Sequence, residues 1–334
     1  MSNIEIQRVG IYPPWEKAWK GVVKNAIARS EIYETKAVDE IEEYIKNGIT
    51  KSRSAFELKY PTQPVNPPWR AWELSGVGQY LSMYGGIRLS AAEISSMLDK
   101  EIDILKYNSA FLALYTSEMI ALFNQNLFQN RFDGKIKENV SNSIAYSALG
   151  YFIGRDAQAE MLARMQISAF KKGFYIAQNE FPIFHFMLRV LCQYLNEADI
   201  FSEGQIISEP SLQALFELWR EPNPESLIEV GLAVCDFHTQ RCRPNSGNAS
   251  KNAKWFEFNN GEWTRTPIEI LLLFRLRQNL GLSNPSINHP LMNTCLGYLP
   301  SNLACVPDEL LSRARKRLII DGYDESEIFN LSHD

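Results

Sequence analysis

Apolar positions recur at three- and four-residue steps along most of this chain, the period that gathers side chains onto one face of an α-helix. Trp15, Trp19, Val22, Val23, Ala26 and Ile27 mark such a stripe from Pro14 to Ser30, and a second helix is predicted over about Ala37 to Lys46. Between Lys51 and Trp69 four prolines, Pro61, Pro64, Pro67 and Pro68, fix backbone angles and remove amide donors, which predicts an extended connector. The chain is accordingly divided into residues 1–60, an N-terminal helical segment with its Pro-rich connector, and residues 61–334, the main helical domain.

Within the main domain a helix is expected from Trp69 to Tyr84, and Ser90-Ala91-Ala92-Glu93 has the capping-box form that predicts a new helix start. Further helical patterns fall near Phe111 to Phe128, Ile136 to Tyr151, Ala157 to Phe174, Phe181 to Leu195, Ser211 to Trp219, Pro224 to Thr239, Pro267 to Leu280 and Pro307 to Asp321. Asn223-Pro224 and Gly281 supply ordinary start and stop signals. No repeat of fixed period is present, so a regular solenoid is not supported.

The pattern changes between Lys254 and Pro300. Trp255, Phe256, Phe258 and Trp263 flank Asn260-Gly261, and aromatic-polar alternation around Asn-Gly predicts a β-hairpin. Thr266-Pro267-Ile268-Glu269 follows as a second capping box, with proline at the first helical position. Pro285 and Pro290 then brace a loop around His289, which is expected to bond to nearby backbone. The fold class read from these patterns is all-α: an irregular multi-helix array of antiparallel helix pairs with one small β-hairpin.

Composition narrows the setting. With 334 residues and 45% hydrophobic content the chain can bury a full-sized core without staples. Five cysteines, Cys192, Cys235, Cys242, Cys295 and Cys305, form an odd set without paired short spacings, which fits reduced thiols in a cytoplasmic protein. Met1 to Gly10 lacks the pattern of a signal peptide. The most apolar helical stretches are short and contain Arg189, Arg275 and Arg277, so no membrane partner is expected. The net charge of −5 is concentrated at Glu31, Glu34, Asp39, Glu40, Glu42 and Glu43, which opposes direct nucleic-acid binding and suits a basic protein partner. The plainer reading of that run is a solvated helix face.

The chemistry of catalysis is thinly represented. No Gly-x-Ser-x-Gly elbow, phosphate-binding Gly-x-x-x-x-Gly-Lys loop or His-Glu-x-x-His motif occurs. The metal-like set is Cys235, His238 and Cys242, to which His185 and Cys192 on another helix could add ligands. It lacks Cys-x-x-Cys spacing and is not counted as a metal site; no cofactor and no catalytic residue is assigned. Glu197 with Asp199, and Asp236 beside His238, are carboxylate arrangements that helix ends also produce. An exposed hairpin tryptophan beside acidic residues would have the character of an interface anchor, with core packing as the alternative. The contact candidates are therefore Trp255, Glu257, Glu262, Trp263, Glu40 and Glu43.

Four blocks carry a family resemblance: Phe184-His185-Phe186-Met187-Leu188-Arg189-Val190-Leu191, Ala233-Val234-Cys235-Asp236-Phe237-His238-Thr239, Thr266-Pro267-Ile268-Glu269-Ile270-Leu271 and His289-Pro290-Leu291-Met292-Asn293. Over about Tyr151 to Ala314 their order and texture resemble helical immunity proteins of bacterial polymorphic-toxin systems. The resemblance implies a cytoplasmic antidote that binds one cognate toxin, such as a basic nuclease-type domain, and blocks it stoichiometrically. It carries no catalytic positions to transfer. Two other classes stand beside it: a helical hydrolase-type enzyme with a cavity lined by His185, His238 and carboxylates, and a non-catalytic scaffold or adaptor. Self-association as a homo-oligomer is left open.

Overall fold

A computed structural model describes residues 6–59, 69–129, 138–139, 143–173, 175–176, 181–199, 206–242, 256–258, 262–301 and 306–329. Helices dominate. The first two predicted helices are joined without a break: α1 (Pro13–Arg29) runs through a π-helical turn, Ser30–Glu34, into α2 (Thr35–Asn47). No proline interrupts residues 15–47 and Gly21 is accommodated inside α1, so the helical backbone runs on to Gly48, which caps α2 at φ 72°. The extended connector is corrected in its first half. Lys51–Lys59 is helical (α3), because all four prolines lie beyond it, and residues 60–68 lie outside the described residues.

The second correction concerns Ser90. α4 (Trp69–Asp99) passes straight through the Ser90-Ala91-Ala92-Glu93 sequence and turns at Lys100, φ 57°, into α5 (Ile104–Gln129). Burial explains the override: α4 packs along α5 over most of its length, and that contact outweighs a local start signal. Close approach is built in by small residues. A Cβ at Gly85 would lie 2.6 Å from the Leu114 Cγ, and one at Gly78 would lie 3.3 Å from the Ile120 Cγ2.

Around this hairpin of helices α7 (Asp156–Lys171), α8 (Pro182–Tyr194), α9 (Pro210–Leu218), a 3₁₀ turn Pro224–Leu227 with α10 (Ile228–Arg241), α11 (Ile268–Asn279) and α12 (Glu309–Ile320) follow the predicted spans closely. The helix expected from Ile136 begins only at Ser143 (α6, Ser143–Phe152), with Glu138–Asn139 a strand, and α13 (Glu325–Phe329) is not among the predicted spans. α6 packs on α7 and α11, α8 on α9 and α11, and α9 on α10. α2 packs on both α4 and α12, and α13 on α5. The segment before residue 60 packs against the other helices: Trp15 is buried and its indole donates to the Thr264 carbonyl at 2.7 Å. Asn223 and Gly281 act as read from sequence, Asn223 capping Glu225 N and Gly281 at φ 74° following α11.

No hairpin is seen among the described residues. Asn260 and Gly261 lie outside them, while Phe258 forms an isolated bridge with Cys242. The strand pair that does form is parallel and two residues long, Glu138–Asn139 against Tyr175–Ile176. No helix among the described residues is long and apolar enough to cross a membrane.

Candidate functional site: a buried network of histidines and carboxylates

His238, on the last turn of α10, is the centre of the densest polar cluster. Its Nδ1 lies 2.9 Å and 3.1 Å from the two carboxylate oxygens of Glu269, and its Nε2 lies 2.9 Å from the Trp263 carbonyl. A carbonyl only accepts, so Nε2 carries a proton; a proton on Nδ1 as well makes the ring an imidazolium facing a carboxylate. Burial opposes that charge, yet Glu269 outweighs it and His238 is held protonated well above the usual histidine range. Both side chains are fully enclosed. The Phe258 ring covers the imidazole at 4.7 Å between centroids.

Glu269 is therefore not the capping residue its sequence position predicts. α11 starts with no side-chain cap, and Thr266 is turned elsewhere: its Oγ1 donates to Glu93 at 3.2 Å and pairs with the Tyr107 hydroxyl at 3.1 Å. Glu93, from the C-terminal part of α4, also accepts the Arg265 amide. Desolvation pushes the Glu93 carboxyl up to about 7 against the pull of those donors. Arg265 in turn lies 3.8 Å over the Trp15 ring and 5.2 Å over Trp19, and its Nη2 donates to the Trp15 carbonyl.

A second pair adjoins the first. Asp236 and His238, two residues apart on a helix, point in different directions. Asp236 receives His289 Nε2 at 3.2 Å, Arg8 Nε at 2.9 Å, Arg8 Nη2 at 3.1 Å and the Gly10 amide at 3.1 Å. The Leu291 amide donates to His289 Nδ1 at 3.1 Å, which leaves the Nε2 proton aimed at Asp236 and fixes the neutral tautomer. Burial, the first cause, holds His289 below the usual histidine value. Backbone bonding of this histidine is as read from its Pro-braced loop; its carboxylate partner was not.

Glu257 closes a third part of the cluster. Its Oε1 accepts the Ile183 and Phe184 amides at the start of α8, at 2.8 Å and 3.4 Å, and its Oε2 accepts Arg241 Nε at 2.9 Å. A carboxylate from a distant segment thus caps this helix, and desolvation pushes it up to about 7 despite Arg241.

These placements change the candidate residues. Glu257, Trp263 and Glu40 are 2%, 2% and 5% exposed, so those three side chains are not available to a partner. Glu40 instead accepts the Ser52 amide and hydroxyl at the start of α3. Glu43 and Glu262 are half-buried, and Trp255 lies outside the described residues. Half of the acidic run before and along α2 is paired with the chain's own cations: Glu34 with Arg88, Asp39 with Lys51 and Glu42 with Arg313. Glu197 binds Arg164 and Lys171, and Asp199 binds Arg189, so neither forms a carboxylate pair.

Cys235 and Cys242 are buried thiols, and Cys242 Sγ donates to the His238 carbonyl at 3.3 Å. With both His238 nitrogens bonded to protein groups, that ring has no lone pair for a metal. No group of three or more His, Cys, Asp or Glu side chains suited to a metal ion occurs among the described residues. His185, on α8, is held near 4 by burial and then by the charge of Arg189. Sequence reasoning missed the roles of Arg8, Glu93 and Glu269; the available signal was a glutamate flanked by apolar residues on a helix, as in Ala92-Glu93-Ile94 and Ile268-Glu269-Ile270.

Chemically, the arrangement orders structure. Proton transfer to a substrate needs a ring nitrogen or carboxyl oxygen within reach of solvent, whereas these groups are enclosed and bonded to one another. Comparison with known proteins returns no match: no family model, no curated protein and no solved structure matches this chain.

Proposed function

We propose that this chain is a cytoplasmic immunity protein that binds one cognate toxin and blocks it stoichiometrically. The observation that supports the reading is the convergence of the four sequence blocks that carry the resemblance. The start of α8 is capped by Glu257, Arg241 links that carboxylate to α10, His238 of α10 pairs with Glu269 of α11, and Asp236 of α10 pairs with His289 of the following loop. Residues far apart in sequence are spent on holding one shape, which suits a molecule whose action depends on a preorganised surface, because ordering flexible groups subtracts from affinity. Of the described contact candidates, Glu262 and Glu43 keep partial exposure and supply the contact face, since Glu257, Trp263 and Glu40 are interior. A basic, nuclease-type partner gains less steering from the acidic run than the sequence suggests, because Glu34, Asp39 and Glu42 already face Arg or Lys.

The test co-expresses the chain with the secreted toxin encoded beside it. Cells survive, and the two proteins elute together at a fixed ratio. Protection at substoichiometric amounts with a chemically altered toxin, or a toxin that still kills and elutes alone, overturns the proposal.

A further inference from the structure

Residues 6–12 precede α1 as an extended strap, and among the described residues their polar side-chain bonds to the body go to one face of α10. Arg8 and the Gly10 amide reach Asp236, the Tyr12 amide donates to Thr239 Oγ1 at 2.9 Å, and Gln240 Nε2 donates to the Gly10 carbonyl at 3.0 Å. Positions 236, 239 and 240 are one helical turn, so the three side chains share a face. We propose that this face, backed by His289, is a recognition site for an extended arginine-bearing segment, filled here by the chain's own strap and open to a partner segment of the same chemistry.

The site is built for a guanidinium. The Asp236 carboxylate is wholly buried while Arg8 is 46% exposed, so the fixed half belongs to the body and the removable half to the strap. Both carboxylate oxygens are engaged by Nε and Nη2 of the same arginine, a fork that an ammonium cannot reproduce. The His289 Nε2 proton orients the carboxylate, and Glu229 adds negative potential at the cation. Gly10 adopts φ 73° so that its amide joins Arg8 on the same acceptor; an Arg-x-Gly segment therefore carries the recognition. Opening the strap breaks these bonds and uncovers Ile6, Ile11 and Tyr12, which pack partly buried against the core, but it disrupts no helix or sheet ladder, and Val9 is already 58% exposed.

The experiment measures binding of a fluorescent heptapeptide with the sequence of residues 6–12 to the full-length chain. The Arg8→Ala chain, whose own strap is loosened, binds it at least about tenfold more tightly than the wild type, and exchanging the peptide's arginine for lysine weakens binding by about tenfold. Asp236→Asn abolishes binding. Absence of saturable binding to a folded Arg8→Ala chain, or equal binding of the lysine peptide, overturns the proposal. A concentration-dependent dimer with exchanged straps would make a second copy the occupant and overturn the partner-segment assignment. Should Arg8→Ala fail to fold, hydrogen exchange of the wild type decides: Gly10 and Tyr12 amides exchange much faster than those of α10 if the strap opens, and exchange as slow as in α10 refutes it.

Discussion

Glu269 and Glu42 each face a cation across short hydrogen bonds, yet the first pair is wholly enclosed and the second stands 41% and 44% exposed. The chemistry is alike and the energetics are not. In the interior, each charge has lost its water and depends on its partner, so removal of either member strands the other. At the surface, water and salt replace the partner, and a long arginine surrenders rotamer freedom to hold the contact. The visible acidic run on α2 therefore contributes less to this molecule than a single glutamate hidden in an apolar helix.

The largest expected effect comes from breaking the enclosed pair. His238→Ala leaves the Glu269 side chain without its partner in the core and destabilises the fold by about 3–5 kcal/mol, read from the denaturation midpoint. Replacing both members together, as in His238→Phe with Glu269→Leu, recovers much of that loss; a double variant as unstable as the sum of the singles would show that the two groups act independently.

Next is pH. Glu93 and Glu257 both have folded values raised from 4.5 to about 7. A raised carboxyl contributes stability that is fully present below its unfolded value and is lost as pH rises through the folded one, so melting temperature falls between about pH 5 and 8. His238, also raised, acts in the same direction as pH climbs past its unfolded range. The change has an upper bound of about 3 kcal/mol per carboxyl. Glu93→Gln flattens part of the slope; an unchanged profile in that variant would assign the dependence to other groups. The smallest effect belongs to the surface pair: Arg313→Ala leaves the melting temperature within experimental error, at low salt as at high.

Helix positions were legible from the sequence because they follow from local periodicity. The patterns near Ala157 to Phe174, Phe181 to Leu195 and Pro307 to Asp321 match α7, α8 and α12 within a few residues. The two capping boxes misled for one reason. Ser90 and Thr266 head sequences that would cap an isolated helix, but Glu93 and Glu269 found stronger partners across the fold, Glu93 the Arg265 amide and Thr266, and Glu269 the His238 ring. Burial magnifies such long-range bonds, and a local pattern carries no record of them.

By itself, then, the sequence determined that this is a helical protein and where most of its helices lie, since spacing of apolar residues and placement of glycine and proline act over a few residues at a time. Only the tertiary structure decided which charged groups are interior, that the N-terminal strap is tied to Asp236, and that Asp39 and Glu42 of the acidic helix are matched by cations of the same chain. Those outcomes depend on which surfaces meet, and the meeting joins residues separated by as many as 271 positions, as between Glu42 and Arg313.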